Sequence, residues 1–231
     1  MNRVIAIDGP SGSGKSSVSR EVGKRLGFLH VDSGSLYRMV TWRAHVAGVD
    51  TADESAMNQF VKTFRISYGV RDLRVVFGID GVADAELCHA IRTDDVNARV
   101  SVVSKMPEVR KFVTDFLRSL RELGDLIVEG RDICTVVFPD TPARFFLDAS
   151  VEVRAQRRHL EEIQKGLRAA DAQEQERVKA SLQARDKIDS SRVCAPLRVA
   201  DGALQIDSTN MTLAEVISAV IEGLPAGWKQ T

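Results

Sequence analysis

Val4-Ile5-Ala6-Ile7-Asp8-Gly9-Pro10-Ser11-Gly12-Ser13-Gly14-Lys15-Ser16-Ser17 is the stretch from which the rest of the chain is read. An apolar run leads straight into glycines, and Val18, Val22 and Leu26 then recur at helical spacing until Gly27. Residues 9–16 fit GxxxxGK[ST] at every fixed position. The glycines let the backbone curl until successive N–H groups point into one concavity. The positive end of the following helix faces the same point, and together they bind phosphate. Gly9, Pro10, Ser11, Gly12, Ser13, Gly14, Lys15, Ser16 and Ser17 are therefore the candidate triphosphate cradle. Lys15 is placed to reach the β- and γ-phosphates, and the Ser16 hydroxyl to ligate Mg2+. A dinucleotide fold is excluded, because the glycines do not fall as GxGxxG.

Strand and helix go on alternating beyond that loop. Residues 28–31 read as a short strand and 35–47 as a helix with Leu36, Met39, Val40 and Ala47 on one side. Thr51 to Glu54 reads as a capping box that starts another helix. The rhythm then changes. Phe64, Ile66 and Tyr68 alternate with polar residues, 73–77 is β-branched and aromatic, and Asp80-Gly81 between Ile79 and Val82 is a hairpin signal. Residues 63–88 are expected to form a small antiparallel insertion. Helical spacing returns with Val96, Val100 and Val103, and runs on after Pro107 to Gly124. Strands are expected at 125–129, 144–147 and 203–207, with a charged helical stretch over 150–190 broken at Gly166. Thr212 and Glu215 cap a last helix, and Trp228 beyond it is expected to fray. The pattern predicts a single-domain α/β fold of three layers. A parallel sheet lies between helices and binds ligands at the carboxyl ends of its strands.

Composition narrows the function. Lys+Arg and Asp+Glu both number 32, and hydrophobic residues make up 44%, which excludes a disordered chain and argues against one that coats nucleic acid or an anionic membrane. No apolar run reaches transmembrane length, and the first residues lack the sections of a signal peptide. Cys88, Cys134 and Cys194 are odd in number and widely spaced, so neither a disulfide scaffold nor a zinc knuckle is indicated, and a cytoplasmic location is expected. The 23 arginines against 9 lysines suit bidentate grip on phosphate, or reflect only a GC-rich genome. A guanine-reading NKxD does not occur, and the chain is short for a motor ATPase. A small kinase remains, and a kinase needs a second site for its acceptor.

Several stretches offer that site. After the second strand, Ser33 is suited to donate to an acceptor phosphate, Arg38 to fork onto it and Asp32 to hold Mg2+ through water; alternatively, Asp32 and Ser33 only cap the next helix. Glu129-Gly130-Arg131-Asp132 ends a strand and puts a guanidinium and a carboxylate in the cleft, unless Arg131 and Asp132 form a surface pair. Glu129 alternatively ends a Walker-B-like strand. Arg185, Asp189 and Arg192, spaced four and three apart, share one helical face, either functional or merely solvated. Arg154, Arg157 and Arg158 lie in the charged helical stretch, either merely solvated or on a mobile cover that would neutralise transition-state charge.

Taken together, IDGPSGSGKSS at 7–17, DSGSLYR at 32–38, IRT at 91–93, GRDICTVVFPD at 130–140, RDKIDSSRVCAPL at 185–197 and DST at 207–209 resemble bacterial cytidylate kinases over about residues 3–222. The resemblance implies a P-loop kinase core with a nucleoside-monophosphate insertion at about 63–88 and a short helical lid at about 152–169. It implies transfer of the γ-phosphoryl of MgATP to CMP or dCMP. By family motif, Ser33, Arg38, Arg131 and Arg192 match positions at the CMP phosphate, Ser101, Arg110 and Asp132 positions around cytosine, and Arg185 and Asp189 positions near the ribose. Arg157 of the lid is assigned to ATP. Lys15, Arg131, Asp132, Arg185 and Arg192 are assigned to catalysis. A carboxylate, a hydroxyl and a guanidinium can read the cytosine edge, which offers an N4 amino donor and O2 and N3 acceptors. Cys134 stands where relatives commonly carry glycine, Ser16 where some do, and Ser190 where they often carry a charge. The expected partners are ATP and CMP or dCMP, with Mg2+ and with no nucleic acid or membrane, and the chain is expected to be a monomer. Two alternatives stand at this point: a kinase for another small acceptor such as UMP or shikimate, and a nucleotide-binding regulatory protein without phosphotransfer.

Overall fold

In the computed structural model, which describes residues 2–79, 81–164 and 172–229, all five residues of Val4–Asp8 (β1) are buried. The reason is its central place in the sheet. Leu126–Gly130 (β5) and Ala143–Asp148 (β6) flank it in parallel, with Val4 opposite Leu126 and Ile5 opposite Ala143. Leu29–Asp32 (β2) lies beyond β5, and Leu204–Asp207 (β7) beyond β6. The hairpin of Ser67–Arg71 (β3) and Arg74–Gly78 (β4) completes a seven-stranded sheet in the order β3-β4-β2-β5-β1-β6-β7. Only β3–β4 is antiparallel.

Side chains alternate across the strands and so feed two cores. Val4, Ala6, Val31 and Val128 face Ser33–Val46 (α2), Glu54–Thr63 (α3) and Pro107–Ser119 (α6) on one side. Ile5, Ile7, Ile127 and Phe145 face Lys15–Leu26 (α1) and Leu213–Glu222 (α9) on the other. Each of the valine, isoleucine and phenylalanine side chains contributes about 1.5–3 kcal/mol on burial, so both layers hold the central strands in place. Asp84–Ala90 (α4) and Asp94–Val103 (α5) follow the hairpin; Val151–Gln164 (α7) and Ala172–Ser190 (α8) follow β6 and pack on each other. Because β1, β2, β5 and β6 are parallel, Asp8, Asp32, Gly130 and Asp148 all end at one edge of the sheet. Among the described residues, no helix is long and apolar enough to cross a membrane.

Four sequence expectations need correction or limits. The hairpin turns at Asp72-Leu73, both with positive φ (49° and 55°), and not at Asp80-Gly81. The Leu73 carbonyl accepts from the His30 N–H at 2.8 Å, so docking on β2 selects the earlier turn; Asp80 lies outside the described residues. The hairpin thus extends the main sheet through β4 and β2. Helix α3 is capped by Asp53, whose carboxylate accepts from the Ser55 and Ala56 N–H groups, and Thr51 is buried instead. Trp228 does not fray: its ring lies 6.2 Å from that of Phe28, with the Arg3 guanidinium over both rings. The predicted break at Gly166 lies outside the described residues.

Candidate active site

The loop from Asp8 to Lys15 is shaped by close approach. At Gly9 (φ 153°) a Cβ would stand 2.0 Å from the Leu147 carbonyl oxygen, so no side chain passes there. Gly14, in left-handed conformation, opens α1. Lys15 is 6% exposed and curls back, donating to the Pro10 carbonyl at 2.6 Å and to Ser13 Oγ at 3.3 Å. Burial and the nearby Arg131 push its pKa down to about 7, while Glu129 and Asp8 oppose the fall. Ser16 Oγ donates to Glu129 Oε2 at 2.8 Å, and the other Glu129 oxygen meets His30 Nε2 at 2.8 Å. Asp32 caps α2, accepting from the Ser35 N–H at 3.2 Å and the Ser35 hydroxyl at 2.6 Å. Arg154 ties the loop to the helices above it. It donates to the Ser11 carbonyl at 3.1 Å and the Ala149 carbonyl at 2.9 Å, and pairs with Asp186 on α8 at 2.6 Å. Arg157 donates to both the hydroxyl and the carbonyl of Ser208, in the loop after β7.

Across the cleft the functional groups are side chains brought from distant segments. Gly130 lets β5 pass under α2, since a Cβ there would stand 2.6 Å from Ser33 Oγ, which donates to the Glu129 carbonyl at 2.7 Å. Arg110 is 4% exposed. It pairs with Asp132, donates to the Ser104 carbonyl at 3.0 Å and lies 5.7 Å from the Tyr37 ring. Burial holds the Asp132 carboxyl above its usual range against the pull of Arg110, Arg192 and Arg131. Asp189, 1% exposed, gathers three guanidiniums: Arg131 Nε donates to it at 3.0 Å, Arg192 pairs with it and Arg185 stands 3.9 Å away. Arg192 also donates to Ser104 Oγ at 3.0 Å. Arg38 reaches from α2 to the Asn97 side chain at 2.5 Å and the Ile91 carbonyl at 3.3 Å. Burial and Arg185 push the Arg38 pKa down to about 9, and burial and Arg131 push that of Arg185 down to about 10. Cations crowded to that degree are poised for a polyanion, which relieves their repulsion.

One cavity of about 740 Å³ joins the two sides. Ser11 to Ser17, Asp32, Ser33, Arg38, Arg110, Arg131, Asp132, Arg157, Arg158, Arg185, Asp189 and Arg192 all line it. Gly9 and Pro10 of the loop, and Ser101 on α5, do not line the cavity. Sequence reasoning passed over Ser104, which joins Arg110 to Arg192, and His30, which backs Glu129. A serine near a helix end and a histidine inside a strand give no local signal of their partners.

Among the described residues, no three His, Cys, Asp or Glu side chains converge as a metal site. Ser16 and Glu129 nevertheless set hard oxygen donors at the foot of the loop. Such donors suit Mg2+ arriving with nucleotide phosphates, because Mg2+ takes few protein ligands and keeps phosphate oxygens and water. The residues therefore fit a nucleotide-borne Mg2+.

Comparison with known proteins agrees with this geometry. The family model described as "Cytidylate kinase" matches residues 5–225. A cytidylate kinase of Mycobacterium leprae is 40% identical over 220 residues, covering 95% of this chain and 94% of that protein. Those of Shouchella clausii and Streptococcus mutans are each 38% identical, over 222 and 219 residues, covering 94% of this chain and 94% and 93% of theirs. A match that spans both the glycine loop and the arginine–carboxylate cluster across the cleft places the chain in the cytidylate kinase family.

Proposed function

We propose that this chain transfers the γ-phosphoryl group of MgATP to CMP or dCMP, giving ADP and CDP or dCDP. The observation that carries this reading is the single cavity running from the Lys15 loop to the buried Arg110–Asp132 pair, with the Asp189-held arginines between. The equal numbers of acidic and basic residues support free nucleotides, rather than a nucleic acid, as substrates.

The acceptor is a phosphate oxygen of CMP, already anionic near neutral pH, so no strong general base is needed. It attacks the γ-phosphorus in line, and the bond to the β–γ bridging oxygen breaks with its electron pair left on ADP. Catalysis is then positioning and charge neutralisation. The loop N–H groups and Lys15 hold the β- and γ-phosphates, and Arg157 serves the ATP side. Ser16, and Asp32 through water, would hold Mg2+ with Glu129 beside them; when bound, the ion neutralises charge on the β- and γ-oxygens. Ser33, Arg38, Arg131 and Arg192 grip the CMP phosphate, and Arg185 and Asp189 face the ribose. The Asp132 carboxylate accepts from the cytosine N4 amino group, and Arg110 serves the O2 and N3 acceptors. UMP presents a carbonyl where CMP presents the amino group, so Asp132 meets acceptor with acceptor and disfavours it. Closure of the β3–β4 hairpin segment and of α7 over the substrates excludes water that would hydrolyse ATP; residues 165–169 of the expected lid lie outside the described residues.

A coupled assay of ADP release across CMP, dCMP, UMP and AMP tests the reading. CMP and dCMP are expected to react far faster than the other two. ATP binding without consumption in the presence of any of the four, or preference for UMP or AMP, overturns it.

A further inference from the structure

Asp8 ends β1 and takes no part in the steps above, yet its side chain is fully buried, at 0% exposure. A carboxylate in such a place is expensive unless fully hydrogen-bonded, and an apolar residue would serve a sheet core better. Its two oxygens are both used, and on one short segment. Oδ1 accepts the Ile133 N–H at 2.9 Å and Oδ2 the Cys134 N–H at 2.7 Å. Those two residues follow Arg131 and Asp132 directly and begin a wide helical turn over Ile133–Val137. In that turn the N–H groups of Val137 and Phe138 bond back to the carbonyls of Asp132 and Ile133. Turns of this kind concentrate at functional sites. On its other side Asp8 is followed by Gly9, the first residue of the phosphate loop.

We propose that Asp8 is a positioning residue: its carboxylate fixes the turn that presents Arg131 and Asp132, and so sets the acceptor readers at a defined place relative to the phosphate loop that starts at the next residue. The assignment rests on the kinase reading above. The geometry requires a carboxylate in particular. Both hydrogen bonds come from backbone donors, so both side-chain atoms must be acceptors. An asparagine would turn an amide N–H2 toward one of those donors, losing one bond and pushing the turn away. Burial, helped by the nearby Asp132 charge, also pushes the Asp8 pKa up to about 6 against the pull of the Cys134 and Ile133 N–H groups.

The test is Asp8→Asn in the full chain. The expected result is a rise in KM for CMP of about 10–100-fold, the loss typical of a hydrogen bond to a charged group. KM for ATP should stay within about threefold, because the loop backbone is held by Gly9 and α1, and positioning errors act on the group displaced. Faster amide exchange over 130–137 should accompany it in the substrate-free protein. Loss of stability alone would lower the active fraction, and hence kcat, and leave both KM values in place. That outcome overturns the proposal, as does an equal rise in both KM values. Should the variant not fold, Asp8→Ala removes both acceptors without adding a donor and is read in the same way; if neither folds, Asp8 is a folding residue and the proposal fails. If the wild-type chain leaves CMP untouched, the kinase reading falls, while exchange over 130–137 in the variant still decides whether Asp8 holds the turn.

Discussion

The two walls of the cleft are built on opposite principles. The Lys15 loop is one continuous stretch whose phosphate-facing groups are chiefly backbone N–H donors, shaped by glycines and the start of α1. The wall opposite is an assembly of side chains. Arg110 comes from α6, Arg131 and Asp132 from the end of β5, Asp189 from α8 and Arg192 from the loop after it, joined by buried ion pairs. A backbone site is made by local conformation, whereas a side-chain site is made by charges that are costly to bury singly. The first should survive loss of its cation as a fold; the second should not.

The largest effect that would test this contrast is expected at Asp132. Asp132→Ala leaves Arg110 buried at 4% exposure without its carboxylate. Breaking a buried pair from one side costs about 3–5 kcal/mol, read as a lower urea midpoint. If the variant is as stable as the parent, the wall is not held by its ion pairs. Lys15→Ala should behave in the opposite way. Its Nζ meets a carbonyl and a hydroxyl, not a carboxylate, so stability should change little. Turnover of CMP should fall about 10²–10³-fold, as when one preorganised donor is removed from a transition state. A Lys15→Ala chain that unfolds, or one that retains near-normal kcat, breaks the contrast.

This division also explains how much could be read beforehand. The loop, α1 and the α/β alternation were legible because the information is local: fixed glycine spacing, then apolar residues at helical period. Only family resemblance brought Arg110 to notice, since an arginine in an amphipathic helix looks solvated until Asp132, 22 positions later, is folded against it. Ser104 was invisible for the same reason. For the hairpin turn, Asp80-Gly81 has the better local signal, whereas a long-range bond from the His30 N–H to the Leu73 carbonyl favours Asp72-Leu73. Nothing near Trp228 in sequence signals its packing, because its partners, Phe28 and Arg3, lie at the far end of the chain.

Arg154 sharpens the comparison, because it is the side chain by which the loop borrows from distant helices. It links the Ser11 carbonyl to Asp186 of α8. Arg154→Ala should leave the loop formed but loosened, raising KM for ATP about 5–10-fold, equivalent to one or two modest hydrogen bonds. KM for CMP should move less. A larger effect on CMP than on ATP in steady-state assays would mean that α7 and α8 serve the acceptor wall instead.

The last test concerns the charge of Lys15 itself. With its pKa pushed down to about 7 by burial and Arg131, Lys15 is mostly neutral at pH 8 in the free protein. The phosphates of ATP favour the charged form, so binding at pH 8 must draw nearly one proton from solution, and at pH 6 almost none through this residue. Calorimetry in buffers of different ionisation enthalpy reads that uptake directly. The sign carries over to affinity: ATP binding should weaken as pH rises from about 7 to 9, by up to about 1.4 kcal/mol per unit. Folding stability should move the other way, since between about 7 and the ordinary lysine range the unfolded chain holds more protons than the folded one. Lys15→Arg keeps its charge throughout and should abolish the uptake. Binding at pH 8 with no buffer dependence would show that Glu129 and Asp8 already keep Lys15 charged, and that the loop, like the wall opposite, depends on paired charges.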